Sequence, residues 1–230
     1  MKTLIIIPTY NEKENIERLL ESLSAFSADI LIVDDNSPDG TAEMVNKFSR
    51  KDSRIKLLSR QGKLGLASAY IEGFSRAISG GYEYVITMDA DLSHPPELIA
   101  ELTRAGESFV TGSRYVKGGK ITGWPFYRHI LSRGANFYAR TVLGLKNRDL
   151  TSGFNFISTA LLKEIEYQKL SSEGYGFLIE MKYRAIKKGF SIKEIPITFT
   201  ERKNGSSKLG KSIIVEAFLL VLRLKLNEVI

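Results

Sequence analysis

Short apolar runs, separated by segments of helical character, restrict the fold of this chain more than any other feature. They are rich in Ile, Leu and Val and predict strands at residues 3–7, 30–33, 55–58, 84–88 and 109–111. The runs are continuous rather than alternating, as in strands with two buried faces. The intervening segments predict helices near 13–25, 41–50, 66–79 and 96–105. The first helix should begin with a capping box formed by Asn11 and Glu14. Repeated strand–helix units indicate an α/β fold with an open, mainly parallel sheet flanked by helices.

The order is less regular after residue 115, which indicates an elaborated second half. The pattern there predicts a helix from about 125 to 143, a strand at 153–157, a helix at 176–188, a strand at 191–199 and a final helix from about 211. Pro196 cannot donate a ladder hydrogen bond, so the strand that contains it should lie at an edge of the sheet. No internal repeat or low-complexity linker divides the chain, and we expect one domain.

Charge is distributed unevenly between the two halves of the chain. Residues 1–115 contain 13 Lys and Arg against 17 Asp and Glu, whereas residues 116–230 contain 20 against 9. An acidic first half suits a cation, and a basic second half suits phosphates, an anionic membrane surface or nucleic acid. Cysteine is absent, which excludes disulfides, thiolate zinc sites and cysteine nucleophiles. No apolar run approaches the roughly 20 residues of a spanning helix, and the run before Pro8 is too short for a signal peptide. We therefore expect a cytoplasmic protein.

Acidic and amide side chains follow three of the predicted strands. They are Asn11 and Glu12 after the first strand, Asp34 and Asp35 after the second, and Asp89 and Asp91 after the fourth. In an open parallel sheet, ligands bind beyond the carboxyl ends of the strands. We therefore expect these side chains to share one ligand site, although each of them singly could equally serve a turn or a cap.

Asp89 and Asp91 are one residue apart, and two carboxylates this close repel each other unless a positive charge meets them. Their hard oxygen atoms suit Mg²⁺ or Mn²⁺. The sequence has no G-x-G-x-x-G after its first strand and no G-x-x-x-x-G-K-[ST], so a cation would have to neutralise a bound pyrophosphate. Tyr10 can pack against a base, and Asp35 can accept hydrogen bonds from the base or the ribose. The predicted ligand is a nucleoside diphosphate with a group attached; the alternative is a pair of solvated loop residues.

Seven stretches, in the same order, resemble the GT-A glycosyltransferases of family 2 and, among them, the dolichol-phosphate mannosyltransferases. They are I-I-I-P-T-Y-N-E (5–12), V-D-D-N-S-P-D-G-T (33–41), M-D-A-D-L-S-H-P-P-E (88–97), G-S-R-Y-V-K-G-G (112–119), L-S-R-G-A-N (131–136), D-L-T-S-G-F (149–154) and S-S-K-L-G (206–210). The resemblance implies a GT-A catalytic domain over residues 1–210, with a nucleotide- and metal-binding half (1–115) and an acceptor-binding half (116–210). An apolar helix at 211–230 would follow.

The resemblance also implies roles for individual residues. Nucleotide contacts fall on Pro8, Tyr10, Glu12, Asp35, Asp89, Arg202 and Lys208. Metal ligands fall on Asp89 and Asp91, while Ser93 stands where several members have Gln, and its shorter side chain favours contact through a bridging water. The acceptor phosphate would meet Arg114, Arg128 and Ser152.

The activity that the resemblance implies is inverting, metal-dependent transfer of mannose from GDP-mannose to a polyprenyl phosphate at the cytoplasmic face of a membrane. The acceptor phosphate is already an anion, so no general base is required, and His94 and His129 receive no catalytic role. The terminal helix is apolar around most of its circumference, which indicates either packing on its own domain or contact with a membrane surface. Small membrane subunits are further partners that the resemblance implies.

Three other interpretations remain open at this point. The nearest is a polyprenyl-phosphate glucosyltransferase that uses UDP-glucose. A basic nucleic-acid-binding protein is more distant, because Lys and Arg are scattered and no aromatic–basic motif accompanies them; no nucleic-acid partner is predicted. The third is an inactive scaffold that retains the fold.

Overall fold

A seven-stranded sheet forms the centre of the molecule. The computed structural model describes residues 1–201 and 211–226. The strands are β1 (Thr3–Thr9), β2 (Asp29–Asp34), β3 (Ile55–Ser59), β4 (Tyr84–Thr87), β5 (Phe109–Ser113), β6 (Lys120–Thr122), β7 (Asn155–Ser158), β8 (Lys193–Pro196) and β9 (Thr198–Thr200). The central sheet has the order β3-β2-β1-β4-β7-β5-β8, and β6 pairs with β9 in a separate parallel ribbon. All neighbours in the central sheet are parallel except β7, which runs antiparallel to β4 and β5. The prediction of a mainly parallel sheet is confirmed.

Helices cover both faces of this sheet. They are α1 (Lys13–Leu23), α2 (Thr41–Ser49), α3 (Leu66–Ser79), α4 (Ile99–Arg104), α5 (Phe126–Leu143), α6 (Thr159–Glu164), α7 (Gly174–Lys187) and α8 (Lys211–Leu226). Each predicted helix is present, although a turn of 3₁₀ helix (Pro96–Leu98) precedes α4. The sequence did not predict β6 or α6. The strand predicted at 191–199 is divided at Ile197, because β8 pairs with β5 while β9 pairs with β6. Pro196 ends β8, which lies at a sheet edge as predicted.

The strands of the first half are buried on both faces. Along β1, Leu4 and Ile6 pack into the layer that contains α3, α6 and α7, whereas Ile5 and Ile7 pack into the layer that contains α1, α2 and α4. Gly73 lets α3 approach closely, because a Cβ atom there would lie 2.6 Å from a methyl group of Ile6. Continuous apolar runs therefore specify a sheet that is covered on both sides.

The helix α8 packs on the body of the protein, which was one of the two predicted arrangements. Val221 is buried in a small cluster with residues of α5 and α7. The ring of Phe218 stacks on that of Tyr138, with 4.4 Å between centroids. Within residues 1–201 and 211–226, no helix combines the length and the apolar character needed to cross a membrane.

Candidate active site

The loops after β1 and β2 interlock at the carboxyl ends of the strands. The backbone N–H groups of Asn11, Glu12 and Lys13 donate to side chains of the second loop, namely Ser37 Oγ, Thr41 Oγ1 and Asp39 Oδ2, each at 3.0 Å. The predicted capping box is wrong, because Asn11 precedes the N-cap and the cap residue, Glu12, makes no side-chain capping bond. Of these donors only Lys13 belongs to α1; its N–H and those of the two residues before it are satisfied by a loop 26–29 residues further along the chain, which fixes the Tyr10–Glu12 segment against the 34–41 loop.

The two acids after β2 have different surroundings. Asp34 accepts hydrogen bonds from Thr9 and Ser37 and anchors the loop. Asp35 is 6% exposed and accepts from Arg60 Nε (2.6 Å) and from the backbone N–H groups of Leu64 (3.1 Å) and Gly65 (2.9 Å). The role of Asp35 in binding a nucleotide stays a prediction. In this structure its carboxylate organises the 60–65 segment.

Arg60 and Lys63 contact two of the predicted nucleotide-binding residues, Asp35 and Tyr10, and the sequence analysis missed both. Lys63 Nζ lies 4.3 Å from the centroid of the Tyr10 ring, a cation–π distance. Arg60 directly follows β3, which is the neighbour of β2 in the sheet. The strand-end rule that identified the acids would therefore have identified Arg60 as well.

The loop after β4 holds Asp89 and Asp91 in a strained turn. The Asp89 N–H donates to His94 Nδ1 at 3.0 Å, and Asp91 Oδ1 accepts from the Ser93 N–H at 3.1 Å. Leu92, between Asp91 and Ser93, has a φ of 61°, a left-handed conformation that a leucine rarely adopts. Asn11 and Asn36 are also left-handed, at 60° and 57°. Each of the three strand-end loops thus contains one such residue, and strain of this kind concentrates at functional sites.

The residues after β4 fit a hard divalent cation. In the described part of the chain, no group of three or more His, Asp or Glu residues could hold a metal ion. A cation beside Asp89 and Asp91 would therefore take its remaining ligands from hydroxyl, water or substrate oxygens. Ser93 is 2% exposed, and its Oγ has no hydrogen-bond partner among the described residues. A buried hydroxyl without a partner, next to two carboxylates, fits a third ligand either directly or through water.

Tyr70, on α3, is a second buried group beside this pair. Its hydroxyl has no hydrogen-bond partner among the described residues, and its ring contacts those of Phe74 (6.1 Å) and Phe177 (6.0 Å). Burial, and then the charges of Asp89 and Asp91, raise the pKa of Tyr70 well above its usual value, so the phenol stays a neutral donor. Nothing in the sequence distinguishes this tyrosine from an ordinary core residue.

Arg114 is held by a buried carboxylate. Asp149, which is fully buried, accepts from Arg114 Nε (2.8 Å) and Nη2 (2.7 Å) and also from its backbone N–H. Burial opposes the charge on Asp149, but the Arg114 guanidinium outweighs it and lowers the carboxyl pKa. Lys182, also fully buried, donates to the carbonyl oxygens of Asp149 and Ser152 at 3.0 Å. Ser152 donates its hydroxyl to Gly112 O at 2.5 Å; its contact with an acceptor stays a prediction.

Arg114 and Arg128 converge on one indole ring. The guanidinium carbon of Arg128 lies 4.2 Å from the centroid of Trp124, and that of Arg114 lies 5.7 Å from it. Arg128 Nη1 forms a short ion pair with Glu201. The structure thus brings together the two arginines predicted to meet the acceptor. Arg202 and Lys208 lie outside the described residues.

Phe199 connects this arginine cluster to the aspartate loop. Its ring contacts those of Trp124 (5.6 Å) and His94 (5.8 Å), and it lies 5.5 Å from the guanidinium carbon of Arg114. His94 is buried and accepts a hydrogen bond from Asp89, as described above, which agrees with the structural role expected for it. A candidate cation site and a candidate anion site are therefore connected through a single phenylalanine.

The stability of the protein should depend on pH through Lys182. Burial lowers the pKa of its ammonium to about 8 from 10.5, so the cost of burying its charge is complete below pH 8 and disappears as the pH approaches 10.5. The free energy of unfolding should rise through this interval by up to about 1.4 kcal/mol per pH unit relative to a Lys182→Met variant. Urea unfolding of both proteins at pH 7.5, 9 and 10.5 measures the difference. A constant difference would contradict a buried, titrating amine.

Comparison with known proteins identifies the family. Residues 4–166 match the model of "Glycosyl transferase family 2". The chain is 42% identical over 226 residues to the polyprenol monophosphomannose synthase of Mycolicibacterium smegmatis, an alignment that covers 96% of this chain and 85% of that protein. It is 43% identical over 225 residues to the dolichol-phosphate mannosyltransferase of Pyrococcus furiosus, with 93% of this chain and 61% of that protein covered.

Solved structures confirm the fold. Glucosyl-3-phosphoglycerate synthase from Mycobacterium tuberculosis, in complex with Mn²⁺, UDP and glucosyl-3-phosphoglycerate, has a TM-score of 0.67 at 17% identity, over 97% of this chain and 79% of that chain. A mannosyltransferase from Pyrobaculum calidifontis, in complex with GDP-mannose and Mn²⁺, has a TM-score of 0.57 at 15% identity, over 98% and 73%. The architecture is the GT-A fold expected from the sequence. Together with relatives more than 40% identical along nearly its whole length, it establishes that this chain belongs to glycosyl transferase family 2.

Proposed function

We propose that this enzyme transfers mannose, with inversion, from GDP-mannose to a polyprenyl phosphate. The observation that carries the proposal is the contact of Phe199 with both the Asp89 loop and the Trp124 arginine cluster. A reaction between a lipid phosphate and a sugar diphosphate has to bring two anions together. A cation held by the Asp89 loop and the guanidinium groups of the arginine cluster, both connected to this ring, would supply positive charge for both anions.

The residues of the site suit this reaction without a general base. The acceptor phosphate is an anion at neutral pH and can attack without losing a proton. A divalent cation, Mg²⁺ or Mn²⁺, when held by Asp89, Asp91 and Ser93, would neutralise charge on the departing diphosphate. Arg114 is fixed by Asp149 before any substrate arrives, so its contribution is preorganised positive charge. Tyr10, with Lys63 above its ring, would lie against the base.

The names of the relatives favour mannose. The proteins that cover most of this chain are named as mannosyltransferases or as a phosphomannose synthase that acts on polyprenols. A glucosyltransferase that uses UDP-glucose would have the same fold and the same charges, so the donor has to be tested directly.

A transfer assay with competing donors tests the proposed function. Purified protein is incubated with a polyprenyl phosphate in detergent, with radiolabelled GDP-mannose or UDP-glucose, and with Mg²⁺, Mn²⁺ or a chelator. We expect a mannosylated lipid phosphate only in the presence of a metal. Faster transfer from UDP-glucose would identify glucose as the transferred sugar. Undiminished transfer in the presence of chelator would show that the reaction needs no metal. No transfer from either donor would reject the proposal.

Exposed apolar side chains support contact with a membrane surface, on the cytoplasmic face as the family resemblance implies. On α5 and α8 they are Phe126, Tyr127, Ile130, Leu131, Phe137, Phe218, Leu219, Leu222 and Leu226. On α5, Arg133 lies between Leu131 and Phe137, and Arg140 follows Phe137. Both arginines would favour anionic lipids. A polyprenyl chain remains in the bilayer, so the enzyme has to approach the membrane. The exposed side of α8 is also where a small membrane subunit would bind.

Replacing two of these side chains should weaken binding to vesicles. Phe126 is 80% exposed and Phe137 67%, and a Phe126→Ser/Phe137→Ser variant should bind vesicles of anionic phospholipid at least about tenfold more weakly, because apolar area is lost from the interface. Co-sedimentation with vesicles measures the change. Leu64→Ser, which removes an exposed apolar residue from the loop before α3, is the control. Equal binding by all three proteins would reject this surface as the membrane contact.

A further inference from the structure

Two buried N–H groups in the arginine cluster lack partners among the described residues. They are the indole N–H of Trp124 and the Nε–H of Arg128. A buried donor that makes no hydrogen bond has lost its contact with water without a replacement, which destabilises the protein. Two such donors on stacked neighbours are therefore more than an accident of packing, and they indicate a ligand that supplies lone pairs at this position.

The surrounding contacts hold the indole ring in place. Phe199 packs on one edge of Trp124 at 5.6 Å and His129 at 5.7 Å, both at steep angles to the ring. Arg128 lies over the indole at 4.2 Å. The N–H direction is consequently fixed before any ligand binds, as in preorganised binding sites.

The chemistry of the site favours an anion. An indole N–H and a guanidinium can only donate hydrogen bonds, and the nearby charges of Arg114 and Arg128 are positive. Glu201 occupies Arg128 Nη1, which leaves Nε as a separate donor on the same group. A phosphoryl oxygen combines negative charge with several lone pairs and would satisfy both unpartnered donors together.

We propose that Trp124 is part of the acceptor site: its indole N–H, together with Arg128 Nε–H, donates a hydrogen bond to the phosphate of the lipid acceptor. This inference depends on the proposed function for the identity of the phosphate. The donor diphosphate is the other possible source of phosphoryl oxygens, and the experiment distinguishes the two. Arg114 and Arg128 contribute positive charge, and Trp124 contributes an N–H donor with a fixed direction. Together they bind a phosphate in preference to the corresponding alcohol.

A Trp124→Phe variant tests the N–H without removing the ring. The phenyl ring retains contact with Arg128, and the lost donor had no partner among the described residues, so the melting temperature should not fall. Calorimetry with a water-soluble short-chain prenyl phosphate should show about tenfold weaker binding, the scale of one lost hydrogen bond to a charged group. GDP with Mn²⁺ should bind with unchanged affinity. Phe199→Leu, which alters the packing of Trp124 and removes no donor, is the matched control.

Every outcome of this comparison decides the question. Unchanged affinity of Trp124→Phe for prenyl phosphate, or a loss confined to GDP, would overturn the assignment. A lower melting temperature with parallel losses for both ligands, as expected of the Phe199→Leu control, would make Trp124 a packing residue only. The binding assay contains no sugar donor, so its result can be interpreted even if the protein does not transfer mannose.

Tryptophan fluorescence gives an independent measurement in the unmodified protein. The chain contains a single tryptophan, so its emission reports directly on the proposed contact. We expect a saturable change with the prenyl phosphate, a weaker one with inorganic phosphate, and none with the prenyl alcohol. An equal response to alcohol and phosphate would show that the indole senses the lipid chain rather than the phosphate.

Discussion

An Asp91→Ala variant is expected to transfer mannose about a thousandfold more slowly than the unmodified enzyme. Asp91 and Asp89 are the two carboxylates after β4, and their loop is held by His94 and by a strained Leu92. A cation that stabilises a departing diphosphate lowers the barrier by several kcal/mol, and each 1.36 kcal/mol is a factor of ten in rate. Measurement of kcat/KM with saturating metal tests the value.

The same variant should keep its fold. Removing one of two adjacent carboxylates relieves repulsion in the metal-free protein, which offsets the loss of the hydrogen bond from the Ser93 N–H, so the melting temperature should change little. GDP with Mn²⁺ should no longer raise it, because a ligand stabilises only the protein that binds it. Asp52→Ala is the control, since Asp52 pairs with Arg54 in the turn before β3, at the opposite end of the strands from the site. Activity within tenfold of the unmodified enzyme would place the metal elsewhere.

The position of the candidate site was predictable because it depends on backbone topology. Apolar runs gave the strands, and parallel neighbours necessarily bring Glu12, Asp35 and Asp89 to one rim of the sheet. Arg60 follows the same rule. These predictions required no knowledge of which side chains contact each other.

The contacts that hold the site together were not predictable in this way. The cap of α1 comes from Thr41 and Asp39, whereas local spacing indicated Asn11 and Glu14. In the sequence, Asp149 is not distinguished from other acids in polar loops. Only the packed structure shows that it is fully buried against Arg114. Arg114 and Asp149 are 35 positions apart, and a single sequence does not indicate which distant residues will meet in the fold.

The structure also qualifies how the two acceptor arginines were expected to act. The family resemblance implied that Arg114 and Arg128 meet the acceptor phosphate. In the structure Asp149 occupies two nitrogen atoms of Arg114, and Glu201 occupies one of Arg128. Arg114 therefore acts as fixed charge, and Arg128 has to accommodate a phosphate beside Glu201. The N–H donors of Trp124 and Arg128, which have no partner among the described residues, are where we propose that such a phosphate finds hydrogen bonds.

The largest loss of stability should follow removal of the carboxylate of Asp149. In an Asp149→Asn variant the Arg114 guanidinium, which is 7% exposed, would remain charged in an interior that no longer compensates it. Arginine stays protonated in proteins, so the side chain cannot become neutral instead. Breaking a buried pair on one side costs about 3–5 kcal/mol. Urea unfolding should show a loss of this size, whereas Asp52→Asn, in a more exposed pair, should change little.

A double-mutant cycle separates the pair from the remaining contacts of Asp149. If the loss arises from an uncompensated guanidinium, an Arg114→Gln/Asp149→Asn variant should recover part of it, because neither buried charge then remains. Full additivity of the two single changes would contradict the pairing. The recovered protein should still bind GDP with Mn²⁺, since the aspartate loop is intact, yet should bind a prenyl phosphate more weakly. Stability restored without acceptor affinity would separate two effects of the pair: its charges compensate each other in the interior, and the Arg114 guanidinium is needed for the acceptor.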